Sequence, residues 1–145
     1  MNFKMQAFQL ETFLDEEFRT KIPLLVLKDK SLVYKRFKIK QAKNLLWQLR
    51  FVTGDTIESF RLKASATIAA KCYDRGDFKR YSEIKMLDAQ YWQNTNDAFI
   101  FKHKLDTTTD PDKRDIFLAR YIVAQDREKL YRGKITSMFR MAFDK

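Results

Sequence analysis

The sequence contains very few of the residues that build metal and catalytic sites. Cysteine and histidine each occur once among the 145 residues, as Cys72 and His103. A zinc site of Cys and His ligands is therefore excluded, and so is an intramolecular disulfide, which points to a reducing compartment. The chain also lacks a phosphate-binding loop, a nucleophile elbow and a dinucleotide-binding fingerprint. We therefore expect a protein that is not an enzyme and that holds no cofactor and no metal.

Glycine, proline and long apolar runs are also scarce. Three Gly and two Pro are too few for a barrel or sandwich with many tight turns, and are typical of a helix-rich chain. No apolar run approaches the roughly 18 residues that a membrane span requires, and the N-terminal residues have no signal-peptide core. We expect a single compact domain over residues 1–145, cytoplasmic or otherwise intracellular, with no membrane partner.

Acidic residues are almost absent from one segment of the chain. Residues 19–50 carry ten cations against Asp29 alone, and they supply nearly all of the net charge of +10. Residues 1–18 have the opposite character, with Lys4 and four acids, whereas residues 51–145 mix both signs. A surface meant only for solubility usually intersperses the two signs, so the basic segment indicates a polyanionic partner.

Apolar periodicity predicts a mainly α (α+β) fold, a helical domain of four or five helices with an N-terminal β-hairpin. The hairpin joins residues 24–27 to residues 32–39, both rich in branched and aromatic side chains, through a turn at 29–31. Helical spacing of apolar residues predicts helices over residues 5–18 and 45–52. In the first of these helices, the apolar stripe consists of Leu10, Phe13, Leu14 and Phe18.

Capping residues predict where the other helices begin and end. Asp55 caps a helix that ends before Gly76, and Asp77 caps the next helix, so the two form a tight helical hairpin. Asp110 followed by Pro111 begins a last helix that runs to about Met141. Residues 94–104 are compatible with a short strand or a helix end. The helix predicted after Asp55 has one apolar face, which consists of Ile57, Phe60, Ala64, Ile68 and Cys72.

The predicted strand over residues 32–39 suggests how the basic segment meets a partner. Alternation places Val33, Phe37 and Ile39 on a core face, while the other face shows cations about 6.6–6.8 Å apart, two strand rises, with one aromatic ring. Cations can bind phosphates and the ring can stack on a base. The candidate nucleic-acid-binding residues are Lys28, Lys30, Tyr34, Arg36, Lys38, Lys40, Lys43 and Arg50.

We therefore expect a non-enzymatic protein that contacts the phosphate backbone of DNA or RNA, in single-stranded or duplex form. A helix-turn-helix over residues 45–65 is one way to enter a groove. The alternative is a protein–protein interaction module, either a homodimer or an adaptor that docks an acidic partner. Two other interpretations remain. The lysines could serve only to protect a sheet edge from aggregation, or the acids at 106–115 could form the metal site of a nuclease.

Overall fold

The computed structural model describes residues 31–143 and the backbone of Leu25 and Val26. An antiparallel sheet comes first, and its five strands lie side by side in chain order. The strands are β1 (Leu25–Val26), β2 (Leu32–Tyr34), β3 (Phe37–Gln41), β4 (Trp47–Phe51) and β5 (Thr56–Phe60). Three helices follow, α1 (Lys63–Arg75), α2 (Phe78–Thr107) and α3 (Pro111–Phe143). The mixed α+β class is confirmed, but the count of four or five helices is not matched, and the helix predicted over residues 5–18 lies outside the described residues.

The predicted hairpin forms, with Leu25 opposite Val33 and Val26 opposite Leu32, but its second strand is shorter than expected. Lys35 and Arg36 form a turn between β2 and β3, and Lys35 has a φ of 53°. This two-residue turn places Tyr34 directly opposite Phe37, so both side chains lie on the same face of the sheet. The prediction treated residues 32–39 as one strand in which side chains alternate between the two faces. The turn interrupts that alternation, so the predicted face of Tyr34 was wrong.

Residues 45–60 form a second hairpin, so the helix predicted over 45–52 and the first turns of the helix predicted after Asp55 are wrong. Leu45 lies in a loop with a φ of 69°, and the strand that follows directs Leu49 into the core. Asp55 lies in the turn between β4 and β5 instead of capping a helix. The helix-turn-helix over residues 45–65 is excluded with it. The alternating pattern of β4 was hidden because Leu49 satisfies both a period of two and a helical spacing.

Helix α1 takes its N-terminal cap from another helix. The residue before it is Leu62, which has no side chain that could accept a hydrogen bond. Instead, Asp88 of α2 accepts the backbone N–H groups of Arg61 at 2.8 Å and Leu62 at 3.1 Å. The other end is as predicted, because Gly76 adopts a φ of 72° and Asp77 accepts the N–H of Arg80 at 3.2 Å.

Helices α2 and α3 form a long antiparallel hairpin, about 45 and 50 Å in length at 1.5 Å per residue. Residues 94–104 are helical, and Asp110 accepts the N–H of Asp112 at 3.0 Å where α3 begins after the predicted Asp110–Pro111 pair. Residues that alternate at intervals of three and four form the seam between the helices. On α2 the seam is Ile84, Leu87, Tyr91, Asn94, Ala98, Phe101 and Leu105; on α3 it is Phe117, Tyr121, Ala124, Glu128, Tyr131, Ile135 and Met138.

The hydrophobic core lies at one end of this hairpin. The inner face of the sheet, α1 and the near ends of α2 and α3 enclose it, and its buried members reach only Leu87 on α2 and Ile135 on α3. We call this part the base, and we call residues 92–130, beyond the core, the tip. The largest fully buried core side chains include Phe37, Ile39, Leu49, Phe60, Ile84, Ile135 and Phe139.

Candidate functional site

The side of the sheet that faces away from α1 and the helical hairpin carries the basic residues. We call it the outer face, and the strand register places its side chains in rows across the sheet. Lys38 pairs with Val33 on one side and Arg50 on the other, and Lys40 pairs with Gln48 in the neighbouring row. The outer face consists of Val33, Lys38, Lys40, Gln48, Arg50, Thr56 and Ser59. Of the eight residues predicted to bind a polyanion, the structure brings Lys38, Lys40 and Arg50 together here.

Two cations stand directly opposite each other on the outer face. Residues paired in this way across antiparallel strands have Cβ atoms about 4.5–5.5 Å apart, and like charges in such a pair destabilise the sheet. Lys38 and Arg50 occupy such a pair. Among the described strand residues of β2 to β5, the outer face contains no carboxylate that could offset the repulsion. An anionic ligand would relieve this repulsion.

The acid that β5 does carry lies on the other side of the sheet. Glu58 pairs with the buried Leu49 and points toward α2. Its carboxylate accepts a hydrogen bond from the Tyr81 hydroxyl at 3.4 Å and lies 3.4 Å from Lys85 Nζ. Burial and the neighbouring Glu58 raise the pKa of Tyr81 to about 12. This acid therefore belongs to the contact between sheet and helix and not to the outer face.

Arg50 is held in place by the backbone of its own hairpin. Its Nε and Nη2 atoms both donate to the carbonyl oxygen of Gly54, at 3.2 and 2.8 Å. The two bonds fix the guanidinium beside the turn between β4 and β5, and they leave its remaining N–H donors for another acceptor. A fixed guanidinium loses less conformational entropy on binding an anion than a mobile one.

Tyr34, the predicted stacking residue, lies in the core. It is 6% exposed, and its ring makes an edge-to-face contact with Phe143 at 6.2 Å between centroids. Burial is the main cause that raises the pKa of its hydroxyl. A buried ring cannot receive a base, so the assignment of Tyr34 to a binding surface is wrong.

Arg36 is also separated from the outer face. It lies in the turn between β2 and β3, and its guanidinium stands over Phe37 at 5.1 Å and 3.9 Å from an Asp74 carboxylate oxygen on α1. Lys35 binds the same carboxylate at 3.0 Å. Lys43 is exposed in the loop between β3 and β4, at the end of the sheet next to Lys40. Lys28 and Lys30 lie outside the described residues.

The helical hairpin presents a second surface, which contains none of the eight candidate binding residues. Along α3, residues at alternating intervals of three and four form an exposed row beside the seam, in which cations alternate with mostly apolar side chains. We call it the outer row of α3. Its four cations are accompanied by no acid, and its apolar members Ile116, Val123 and Leu130 are 52%, 47% and 53% exposed. The row consists of Lys113, Ile116, Arg120, Val123, Arg127, Leu130, Lys134 and Ser137. The sequence signal for this row is the spacing of seven residues between its successive cations. The signal was hard to recognise because α3 also carries apolar residues on its other sides.

A groove of about 760 Å³ lies between the outer row and α2. Met86 and Glu83 form its α2 side, while Leu130 and Lys134 form its α3 side. Gly133 also lines the groove, and a Cβ atom added there would meet no atom within 4 Å. The lining of the groove is therefore mixed, with apolar residues from both helices, two lysines from α3 and one acid from α2.

Neither metal nor membrane chemistry is indicated in the part of the chain that the structure describes. No group of three or more His, Cys, Asp and Glu side chains is arranged there to hold a metal ion. None of the helices α1 to α3 combines the length and the apolarity needed to cross a bilayer. In comparisons with family models, curated proteins and solved structures, nothing matches this chain, so its own geometry has to support any functional proposal.

Proposed function

We propose that the outer face of the sheet binds the phosphate backbone of nucleic acid without catalysing a reaction on it. The observation that carries the proposal is the pairing of Lys38 with Arg50 on a surface whose described residues include no acid. Such a pair costs stability in the free protein and is relieved by an anion between the two side chains. Lys40 in the neighbouring row and Lys43 in the adjoining loop extend the positive surface along β3.

Double-stranded DNA suits this surface better than single strands do. Single-strand binders rely on aromatic side chains on which bases stack, and the one aromatic expected here, Tyr34, is buried. The major groove of B-form DNA, which is about 12 Å wide, admits a two-stranded ribbon. Strands β3 and β4 carry all three outer-face cations but are flanked by β2 and β5, so the outer face would lie across the duplex and contact its phosphates from outside the groove. Because Lys and Arg would mainly contact phosphate, we expect weak sequence preference.

The experiment measures binding to a labelled DNA duplex across a salt series, for wild type and for Lys38→Ala combined with Lys40→Ala. Each phosphate contact that the double variant no longer makes should flatten the slope of log affinity against log salt by roughly one unit. We expect the double variant to bind at least about tenfold more weakly at low salt. Its fold should persist because both side chains are on the solvent side of β3.

A matched control changes charge without touching the outer face. Lys79→Ala combined with Lys102→Ala removes the same two charges from exposed positions on α2. If this control weakens binding as much as the β3 variant does, attraction is a property of net charge alone and the proposal is wrong. Wild-type protein that ignores duplex DNA at low salt would also contradict it. Equal affinity for duplex and single strands would reject the preference for a duplex while keeping the phosphate contacts.

A further inference from the structure

We propose that the tip of the helical hairpin pairs with the tip of a second copy of this chain, in an antiparallel two-fold dimer. The surface concerned is the flank of the hairpin opposite the outer row of α3. It does not include the outer face of the sheet, and the proposal does not depend on nucleic-acid binding. It rests on exposed apolar side chains from both helices and on opposite charges at the two ends of the flank.

Two contacts between a cation and a ring distinguish the flanks of the hairpin. On one flank, Arg120 of the outer row stands over the Phe101 ring at 5.7 Å, and on the other flank Lys102 stands over the Tyr121 ring at 5.9 Å. Helical spacings of three, four and seven residues place further side chains beside Lys102 and Tyr121 on this second flank. We call these side chains the Phe99 flank. They are Trp92, Phe99 and Asp106 on α2, and Asp115, Leu118 and Ile122 on α3.

The middle of the Phe99 flank is apolar and exposed on both helices. Phe99 itself is 75% exposed, and the other three apolar side chains of the flank are between 40% and 48% exposed. Exposed large apolar side chains that lie close together usually mark a contact site. The apolar members of α2 and α3 lie side by side because the two helices are antiparallel, so a partner can cover both helices at once.

The two ends of the Phe99 flank carry opposite charges. Asp106 and Asp115 lie at the end far from the sheet, next to the loop that joins α2 to α3. At the other end, the Arg61 guanidinium stands over the Trp92 ring at 4.1 Å. Lys102, between the two ends, is bound to Asp106 at 3.3 Å. A second copy in parallel orientation would place acids against acids, whereas an antiparallel copy places the acids of each molecule against Arg61 of the other.

A two-fold axis that crosses the hairpin near Phe99 and Ile122 satisfies both features. The stacked rings between α2 and α3 set the register of the two helices, and they place Ile122 within about 5 Å of the level of Phe99. From the midpoint of these two residues, Trp92 lies about 8 Å toward the sheet and Asp115 lies about 8 Å toward the far end. The rotation therefore brings Arg61, over Trp92, level with Asp115 of the second copy.

The area of this contact predicts a weak dimer. Helix α2 rises about 22 Å from Trp92 to its end, and two helices about 10 Å wide cover roughly 450 Å² over that length on each copy. The total of about 900 Å² is at the low end of specific interfaces, so we expect dimerisation at micromolar protein concentrations. The outer row suits a second copy less well, because its four cations are accompanied by no acid in that row.

Sedimentation equilibrium of the full chain measures the dissociation constant of the dimer. The average mass should rise from that of a monomer toward that of a dimer between about 1 and 500 μM protein. Phe99→Lys places a cation at the centre of the contact and should raise the dissociation constant at least about tenfold. The matched control is Leu130→Lys, which adds the same charge at a 53% exposed position of the outer row and should change the constant less than about threefold. The proposal is overturned if the wild type stays monomeric throughout, or if the control weakens the dimer as much as Phe99→Lys does.

Charge reversal tests the antiparallel orientation. Asp115→Arg and Arg61→Glu should each weaken the dimer about two- to fivefold, because each places like charges together. The two changes combined restore opposite charges and should return the dissociation constant to within about twofold of wild type. In a parallel dimer, Asp115→Arg would instead strengthen association by relieving repulsion between acids, and that result would overturn the proposal. A double variant that binds no more tightly than the single variants would overturn it as well.

Discussion

The base and the tip of the molecule are built from the same two helices but bury very different amounts of apolar surface. In the base, α2 and α3 pack against α1 and the sheet, and Ile84, Ile135 and Phe139 are at most 1% exposed. In the tip, apart from the Arg61 guanidinium that lies 4.1 Å from the Trp92 ring centroid, the described residues of the two helices pack mainly against each other. The buried apolar residues there are Ala98, Leu105 and Ala124, whereas Phe99 is 75% exposed.

The difference shows what a two-helix layer can and cannot do. Each helix of a pair buries one narrow stripe, and any apolar residue outside that stripe remains in water. Patches of exposed apolar residues on a folded domain usually mark interaction sites. The base therefore holds the molecule together, while the tip and the outer row of α3 leave apolar side chains exposed. Stability should accordingly fall from the base toward the tip.

The largest expected effect comes from emptying the core of the base. Phe139→Ala removes a ring that is 0% exposed and packs against Phe143 at 5.0 Å, so it should lower the free energy of unfolding by about 3–5 kcal/mol. Phe117→Ala in the tip removes a half-buried ring stacked on Phe101, and we expect a cost of about 1–2 kcal/mol. Urea titration of both variants measures the two losses. Equal losses would mean that base and tip are equally well packed.

Asp88 gives the next effect, because it joins α2 to the first turn of α1. Asp88→Ala would leave the N–H groups of Arg61 and Leu62 without their acceptor, at a cost of about 2–4 kcal/mol. Burial raises the pKa of Asp88, against the opposing hydrogen bonds from these two groups. The folded state therefore binds the Asp88 proton more tightly than the unfolded chain does, so ionisation of Asp88 lowers the free energy of unfolding relative to the protonated form.

The effect of Asp88 ionisation on stability can be isolated by comparing wild type with Asp88→Asn, because asparagine does not titrate. As pH falls from about 7 through the folded-state pKa, wild type should gain stability relative to the variant. The gain is complete below the ordinary carboxyl pKa of 3.8. Denaturation of both proteins at several pH values measures the difference, and a difference that stays constant or shrinks on acidification would contradict the raised pKa.

The two regions also show why sequence patterns succeeded at some positions and failed at others. Gly76, Asp77 and the Asp110–Pro111 pair act through local backbone chemistry, so their positions at helix ends were predictable. Residues 45–60 depend on pairing between strands, which no local pattern records. The cap that α1 receives from Asp88 was equally unpredictable from sequence, since only the tertiary fold brings Asp88 of α2 next to the start of α1.

The candidate site was predictable in composition but not in geometry. The segment poor in acids did place Lys38, Lys40 and Arg50 on one surface. A single two-residue turn at Lys35 and Arg36 then reversed the expected side of Tyr34 and moved Arg36 to Asp74. Because side chains alternate with a period of two, one unrecognised turn changes the face of every residue before or after it.

A smaller effect is expected at Cys72, on the α1 side of the base. The thiol is buried, as its position on the apolar stripe with Ala64 and Ile68 predicted, and burial is the main cause that raises its pKa. Cys72→Ser should cost about 1–2 kcal/mol by placing a hydroxyl in an apolar site. A thiol reagent should modify the native protein slowly and the urea-unfolded chain rapidly. Fast labelling of the native protein would show that α1 opens readily. That result would contradict the expectation that the base is more stable than the tip.

The smallest effect is expected at the most exposed ring of the tip. Phe99 is 75% exposed, so Phe99→Lys removes little buried surface, and lysine has the higher helix propensity. We therefore expect the free energy of unfolding to change by less than about 0.5 kcal/mol, the usual range for surface substitutions. Urea titration at low protein concentration measures this change against Phe139→Ala. A loss of several kcal/mol would show that Phe99 is covered in the folded protein, and the tip would then be a packed part of the structure instead of a surface available for contacts.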